Sequence, residues 1–243
     1  MHTLLETKTA IVYGAGGAIG SAVARAFARE GARVFLAGRT RPALDEVARV
    51  IRGAGGTADV APVHVLDRAA VERHASAVAD AAGGIDIAFN ATSNEDIQGT
   101  PLLDLSYEDF IRPVTKGVTS QFVTATAVAR HMRRRGSGVI LAMAGGREAI
   151  SLLGGSHVAW AALAGLCRQL ACELGPHGIR VAWLLSPGSP DASDPGLEAA
   201  DVTMLGRRPT LDQVANVAVF LASDWAGTMT ATEVNITAGA VVD

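Results

Sequence analysis

The chain has 243 residues, of which 49% are hydrophobic and 19% charged, and its formal net charge at pH 7 is −3. A chain this apolar is not intrinsically disordered, because it buries enough surface to offset the entropy of ordering. Its 27 glycines follow no triplet period and its 2 cysteines are too few for a disulfide scaffold, which excludes collagen-like and disulfide-rich classes. The weak negative charge argues against a nucleic-acid or anionic-membrane partner.

Targeting and membrane signals are not expected in this sequence. The opening segment carries Glu6 and Lys8, where a secretory signal needs an unbroken apolar core. The uncharged stretch 149–167 is interrupted by glycines, a serine and a histidine, so it predicts a buried helix rather than a membrane span. Cys167 and Cys172 lack the CxxC spacing of zinc and redox sites, so no metal is expected. These features predict a reduced, cytoplasmic protein.

Short apolar runs alternate along the chain with longer alanine-rich amphipathic segments. The strand-like runs are Thr9–Tyr13, Arg33–Ala37, Val60–Val65, Ile85–Asn90, Val139–Met143, Ile179–Leu185 and Glu233–Ile236. The helix-like segments are Gly17–Arg29, Pro42–Arg52, Arg68–Ala81, Tyr107–Arg135, His157–Leu174 and Leu211–Ala222. Because the strand runs are too apolar for a solvated face, both sheet faces must be covered. The pattern predicts one α/β domain over residues 1–243, a Rossmann-type doubly wound parallel sheet of about seven strands with helices on both faces.

Pro113 disagrees with its surroundings in the helix-like segment 107–135. A proline inside a helix removes one backbone hydrogen bond and its ring crowds the preceding turn. We therefore expect Pro113 to break or kink this helix, which would then begin near the proline.

A glycine-rich turn joins the first predicted strand to the first helix. Its sequence is Gly14-Ala15-Gly16-Gly17-Ala18-Ile19-Gly20. Glycines at such a turn let a pyrophosphate approach the backbone, and the helix that follows presents unpaired N–H groups to the phosphates. In the first βα turn of an alternating sheet the loop indicates a dinucleotide site, whose cofactor-binding residues would be Gly14, Ala15, Gly17, Ile19 and Gly20. The alternative is a glycine-rich turn that serves packing only.

The end of the second predicted strand bears on the choice of cofactor. An NAD site commonly has an acid there, which binds the adenosine ribose hydroxyls. This chain instead has Arg39 and Arg41, which suit a 2′-phosphate, so NADP(H) is favoured over NAD(H). The alternative is that both arginines are solvated at the start of a helix.

These segments resemble the short-chain dehydrogenase/reductase family, and the resemblance covers nearly the whole chain. The glycine turn is similar to the family's motif with Ala18 replacing its middle glycine, and Asn90 retains the first residue of the family's Asn-Asn-Ala-Gly motif. Residues 161–181, the Ser186-Pro187-Gly188 segment and the ending from 214 to 236 also look like this family. The resemblance implies Asn90, Pro187 and Gly188 as further cofactor contacts.

The resemblance also implies catalytic positions, and this sequence departs from the family at each. In the family a tyrosine is the general acid/base, a lysine four residues later lowers its pKa, a serine orients the substrate carbonyl and an asparagine holds a water. The matching positions here are Ser156, Trp160, Gly145 and Gly117. A serine hydroxyl is a far weaker acid than a phenol, and tryptophan carries no charge. An atypical active site is therefore expected.

Some neighbouring side chains are candidates to replace the family's groups. Ser156 and His157 are the candidate catalytic residues. His157 is the stronger candidate of the two, because the pKa of an imidazole, ~6.5, suits a general acid. Adjacent helix positions point about 100° apart, however, so His157 is alternatively a structural histidine. Lys116 would supply a cation, or lies on the surface. Arg147 and Glu148 would bind a polar substrate, or form an exposed pair.

Three functions from different classes remain open at this level. The first is an NADP(H)-dependent oxidoreductase that acts on a small organic substrate. The others are a non-redox isomerase, dehydratase or cyclase, and a catalytically silent nucleotide-binding or partner subunit. Residues 186–201 are rich in Pro, Gly, Ser and Asp, and the resemblance implies that residues 186–206 form a candidate substrate lid. The resemblance further implies a homodimer or homotetramer that pairs through the helices 107–135 and 157–174.

Overall fold

The structure is a computed structural model that describes residues 3–186 and 203–242. Within these residues, strands and helices alternate in chain order: β1 Thr9–Tyr13, α1 Ala18–Arg29, β2 Arg33–Gly38, α2 Arg41–Gly53, β3 Thr57–Pro62, α3 Arg68–Ala82, β4 Ile87–Asn90, α4 Tyr107–Arg135, β5 Gly138–Ala144, α5 Ser156–Leu174, β6 Ile179–Leu185, α6 Leu211–Ala222 and β7 Thr232–Asn235. The predicted cofactor contacts Pro187 and Gly188, and most of the predicted lid, lie outside the described residues.

The strands form one parallel sheet, in the order β3-β2-β1-β4-β5-β6-β7. β1, β4 and most of β6 are buried along their length, because helices cover both faces of the sheet. The predicted doubly wound α/β fold is confirmed. The strand order reverses between β1 and β4, and at such a point the loops that leave the two strands diverge to open a crevice.

Two apolar cores separate the sheet from its helices. On one face α1, α2 and α6 contribute Phe27, Leu44 and Val219 to the first core. On the other face α3, α4 and α5 contribute Val71, Val128 and Leu163 to the second core. The two cores hold the sheet between two layers of helices, so the strand ends and their loops occupy fixed positions at its edge.

Helix α4 begins at Tyr107 and is not broken at Pro113, so the expectation of a start near the proline was wrong. The hydroxyl of Ser106 caps the helix by accepting a hydrogen bond from the backbone N–H of Asp109, at 3.1 Å. The proline removes one hydrogen bond, but its ring is buried where α5 begins: a Cβ on Gly155 would lie 2.9 Å from Pro113 Cγ. Capping before the proline and burial of its ring offset the lost bond.

Among the described residues, no helix has both the length and the apolar character needed to cross a membrane. The uncharged stretch 149–167 begins as a loop and becomes helical only from Ser156 onward. Its helical part faces the second core through Leu163, Ala164 and Cys167.

His74 on α3 makes the fold sensitive to acid. Its ring lies edge-on to Tyr13 with ring centroids 6.1 Å apart, and neither ring nitrogen has a hydrogen-bond partner in the described part of the chain. Burial lowers the pKa of His74 to about 4. Because the unfolded chain takes up the proton near pH ~6.5 and the folded protein does not, stability falls as the pH drops from ~6.5 toward 4.

His74→Phe is expected to remove this acid sensitivity. The imidazole pKa is ~6.5 in the unfolded chain and about 4 in the folded protein. At pH 5 this difference lowers the free energy of unfolding by ~2 kcal/mol. The loss of unfolding free energy between pH 7 and pH 5 should be smaller by that amount in the variant, as measured by urea denaturation. His177→Phe, at an exposed position, is the matched control and should keep the wild-type pH dependence. An equal loss on acidification in His74→Phe and wild type would contradict the assignment.

Candidate functional site

A cleft of about 350 Å³ opens at the carboxyl ends of β1, β2 and β4, where the strand order reverses. The residues that line it follow these strands, β3, or lie on α2 and α4: Gly14, Gly16, Gly17, Gly38, Arg39, Thr40, Ala43, Leu44, Val63, His64, Val65, Leu66, Ala91, Thr92, Ser93, Glu95, Lys116 and Ser120. The cleft is therefore built by the predicted glycine turn, the end of β2 and the loop after β4.

The glycine turn is shaped by close backbone contacts. Gly14 has a φ of +78°, and a Cβ there would lie 2.6 Å from the carbonyl oxygen of Ala91. A Cβ on Gly20 would lie 2.2 Å from the carbonyl oxygen of Gly14. Gly17 is the N-cap of α1 and no side chain caps the helix, so the amino end of α1 is open to an anion in the cleft.

The predicted cofactor residues of this turn divide into two groups. Gly14 and Gly17 line the cleft. Ala15 and Gly20 are buried behind the turn, and Ile19 is half-buried. The backbone N–H of Ala15 donates to the carbonyl oxygen of Ala37 at 3.2 Å, which fixes the turn against β2. The second group therefore shapes the cleft without lining it.

Asn90 holds the loop that leaves β4. Its side-chain amide donates to Thr124 Oγ1 at 3.1 Å, and its side-chain oxygen accepts from the backbone N–H and the hydroxyl of Thr92, at 3.0 and 2.7 Å. Asn90 is itself buried, and it lines a second, smaller cavity rather than the cleft. It therefore positions the start of the loop that leads to Glu95.

Glu95 places a carboxylate in the cleft beside the predicted phosphate-binding arginine. Its Oε1 accepts a hydrogen bond from Arg39 Nη1 at 3.1 Å, and its Oε2 contacts the ammonium group of Lys116. The hydrogen bond from Lys116, and then that from Arg39, hold the pKa of Glu95 below its usual value, so this carboxylate is ionised at neutral pH. The end of β2 has no acid, as the sequence indicates, but the loop after β4 brings one to the same place.

The second cavity, about 50 Å³ in volume, lies beneath this loop. Asn90, Thr92, Asn94, Gly117, Ser120, Gln121, Met143, Ala159, Trp160 and Leu163 line it. The side-chain nitrogen of Gln121 is buried there without a hydrogen-bond partner among the described residues. The cavity is polar on one side and has room for a water molecule.

The indole of Trp160 packs against the backbone of Gly145. A Cβ on Gly145 would lie 2.2 Å from Trp160 Cζ2 and 2.3 Å from Cε2. The six-membered ring of the indole therefore occupies the space that any side chain at position 145 would need.

Ser156 and His157, the candidate catalytic residues, line neither of these cavities. Ser156 is fully buried, and its hydroxyl donates to Asp96 Oδ2 at 2.5 Å. Gln98 Nε2 donates to the same Asp96 oxygen at 2.7 Å and lies 3.3 Å from Ser156 Oγ. The Nδ1 atom of His157 is buried with no hydrogen-bond partner within the described ranges. Asp96 and Gln98 thus cover Ser156.

The loop residues Arg147 and Glu148 were considered as binders of a polar substrate or as an exposed pair. Both are exposed, and the guanidinium of Arg147 binds Glu233 on β7, with Nε donating to Oε1 at 2.7 Å. Glu233 Oε2 also accepts from the indole N–H of Trp183 at 2.6 Å. Arg147 is therefore engaged with β7.

Sequence reasoning missed Glu95, Asp96 and Gln98. The signal was the polar segment that directly follows β4, because the loops at the carboxyl ends of strands beside a topological switch point form the ligand crevice. Lys116 was considered as a cation, but without its carboxylate partner.

Comparison with known proteins identifies the family to which this chain belongs. A family model described as enoyl-(acyl carrier protein) reductase matches residues 14–240. D-threitol dehydrogenase of Mycolicibacterium smegmatis is 30% identical over 246 residues, which cover 97% of this chain and 93% of the relative. L-rhamnose 1-dehydrogenase (NAD(P)(+)) of Azotobacter vinelandii is 31% identical over 261 residues, which cover 99% of each chain.

Comparison with solved structures points to the same family. A short-chain type dehydrogenase/reductase from Mycobacterium marinum superposes with a TM-score of 0.88 at 31% identity, covering 100% of this chain and 98% of the other. An NAD⁺-bound xylitol dehydrogenase superposes with a TM-score of 0.86 at 27% identity, covering 97% and 99%. With the parallel sheet, the glycine turn and the cleft at the strand ends, these similarities show that the chain belongs to the short-chain dehydrogenase/reductase family of oxidoreductases.

Proposed function

We propose that this protein is an NADP(H)-dependent oxidoreductase that acts on a small organic substrate through an atypical active site. The observation that carries the proposal is the position of Arg39: it lines the cleft at the carboxyl end of β2, beside the amino end of α1. A dinucleotide whose pyrophosphate binds at α1 would bring its adenosine ribose to that end of β2. The relatives named D-threitol dehydrogenase and L-rhamnose 1-dehydrogenase support an oxidoreductase of small polar molecules.

The chain supplies binding groups for each charged part of such a cofactor. The N–H groups at the start of α1, behind Gly16 and Gly17, suit the pyrophosphate, and the guanidinium of Arg39 suits the 2′-phosphate. When bound, the nicotinamide would supply or accept a hydride. The protein's own contribution is to bind and orient the cofactor and substrate and to exclude water.

The atypical active site is proposed from the four positions at which the family's catalytic residues would lie. Ser156 is fully buried and donates its hydrogen bond to Asp96, so this position holds a carboxylate-bound hydroxyl in place of a phenol. The other three positions, Trp160, Gly145 and Gly117, supply no cation, no hydroxyl and no side-chain amide. This arrangement favours reduction of a C=C or C=N bond, which depends less on a strong proton donor than reduction of a ketone does.

A second candidate is a catalytically silent nucleotide-binding subunit. The observation in its favour is the indole of Trp160, which fills the space beside Gly145 and, within the described part of the chain, lines a cavity of about 50 Å³. The 350 Å³ cleft on the adenosine side is open in either case.

The proposal extends to assembly and location. Phe122 on α4 and Val158 on α5 are exposed apolar side chains, which supports a homodimer or homotetramer formed through these helices. Both cysteines are free, with Cys167 buried and Cys172 exposed, in keeping with a reducing, cytoplasmic compartment.

Titration with both cofactors tests the proposed function. NADPH is expected to raise the melting temperature, since a ligand at a hundred times its Kd stabilises the folded state by ~2.7 kcal/mol, and to bind more tightly than NADH. A panel of enones, imines and ketones is then screened for loss of the reduced-nicotinamide absorbance. NADPH binding without turnover would favour the silent subunit. Absence of binding by both cofactors at millimolar concentration would overturn both proposals.

A further inference from the structure

The carboxylate of Glu95 lies between two cations at the rim of the cofactor cleft. Arg39 Nη1 is 3.1 Å from one carboxylate oxygen, and Lys116 Nζ contacts the other. The three residues come from separate elements: Arg39 follows β2, Glu95 lies in the loop after β4, and Lys116 is on α4. All three line the same cleft. Two positive groups therefore converge on one carboxylate, each at a different oxygen.

A phosphate monoester fits this arrangement better than a carboxylate does. It carries a charge of about −1.5 to −2 near neutral pH and has three acceptor oxygens, whereas Glu95 offers one charge and two oxygens. Arginine and lysine are the side chains that bind phosphate best. With Glu95 in place, the three side chains carry two positive charges and one negative charge, so a dianion that replaces the carboxylate balances both cations.

The backbone conformation of Glu95 favours displacement of its carboxylate from Arg39 and Lys116. Its φ is +57°, in the left-handed region that non-glycine residues seldom adopt, and its N–H donates to Ser93 Oγ at 3.1 Å. A backbone conformation of this kind is unfavourable for a residue with a side chain, so the loop can relax once the carboxylate is displaced.

We propose that the Glu95 carboxylate occupies the binding site of the cofactor's 2′-phosphate, and that Lys116 is a second ligand of that phosphate beside Arg39. NADP(H) displaces Glu95, and its 2′-phosphate then takes the place of the carboxylate between the two cations. NAD(H) has no such group and leaves Glu95 where it is. Glu95 is thus a specificity-determining residue that weakens NADP(H) binding and leaves NAD(H) binding unchanged. This inference rests on the proposed function, because it takes the cleft to be the cofactor site.

Two substitutions, each with a matched control, test the inference by isothermal titration calorimetry of the full chain with NADPH and NADH. Glu95→Gln removes the competing charge and should tighten NADPH about tenfold, with NADH unchanged within twofold. Lys116→Met removes one cation and leaves Glu95 to pair with Arg39 alone, so it should weaken NADPH about tenfold. Glu46→Gln and Lys8→Met are the controls, because these residues pair with Arg49 and Asp224 away from the cleft. Both controls should bind NADPH like wild type.

The outcomes separate this inference from the proposed function. Unchanged NADPH affinity in Glu95→Gln would overturn the inference and leave NADP(H) dependence intact. Equal tightening of NADPH and NADH would also overturn it, since Glu95 would then repel the pyrophosphate that both cofactors carry. Weaker NADH in Glu95→Gln would show that the carboxylate binds the ribose hydroxyls instead. If neither NADPH nor NADH binds to the wild type or to Glu95→Gln, the proposed function is overturned as well.

Discussion

Arg39→Ala should raise the Kd for NADPH about a hundredfold and leave the Kd for NADH within about twofold. Charge-assisted hydrogen bonds from a guanidinium to a phosphate contribute roughly 1.5–3 kcal/mol, and ~2.7 kcal/mol corresponds to a hundredfold. The effect is expected at the upper end of this range, because loss of Arg39 also leaves the Glu95 carboxylate facing the incoming phosphate with only Lys116 as its partner. Calorimetric titration of each cofactor measures both constants.

Arg41→Ala is the matched control for this prediction. Arg41 lies two residues further along the chain, pairs with Asp45 on α2 and does not line the cleft. Its removal should change neither Kd. Equal weakening of NADPH and NADH by Arg39→Ala would mean that Arg39 contacts a part common to both cofactors, and the 2′-phosphate assignment would be wrong.

The regular elements of this fold were predictable because local sequence determines them. β1 and β6 have the predicted bounds, and α4 and α6 span the predicted residues. Apolar runs of strand length, alternating with amphipathic segments, admit few arrangements other than a doubly wound parallel sheet. Pro113 was misjudged because the local rule counts its lost hydrogen bond but not the burial of its ring beside Gly155.

The loop after β4 was not predictable in the same way. Glu95 meets Arg39 and Lys116 only because β1, β2 and β4 are neighbours in the sheet and α4 packs across the end of β4. No periodicity fixes where a side chain in an irregular segment points. The acid that the end of β2 lacks is therefore supplied from 56 residues away in sequence.

The pairing of Gly145 with Trp160 also escaped sequence reasoning, although each residue was noted by itself. One residue follows β5 and the other lies on α5, and only the packed structure shows that the indole fills the space beside the glycine. The two positions are thus coupled by volume: a side chain at 145 and an indole at 160 compete for the same space. Changes at either position depend on the residue at the other.

Gly145→Ser should therefore destabilise the wild-type protein by about 3 kcal/mol, because the new Cβ would lie 2.2 Å from a ring carbon of Trp160 and force the indole or the backbone to move. Gly146→Ser is the matched control: a Cβ at this adjacent position comes no closer than 3.9 Å to any side chain described, the nearest being Val241, and stability should change by less than about 0.5 kcal/mol. Urea denaturation measures both free energies of unfolding.

The same serine should be tolerated once the indole is removed. In a Trp160→Ala background, Gly145→Ser is expected to change the free energy of unfolding by less than about 0.5 kcal/mol, which gives a coupling of about 3 kcal/mol between the two positions. If the serine destabilises both backgrounds equally, the glycine is required by its backbone and not by Trp160. The coupling bears on function, because the family resemblance places a serine at 145 and a lysine at 160. If the proposed active site is correct, a hydroxyl at 145 is therefore introduced without a large loss of stability only when Trp160 is replaced as well.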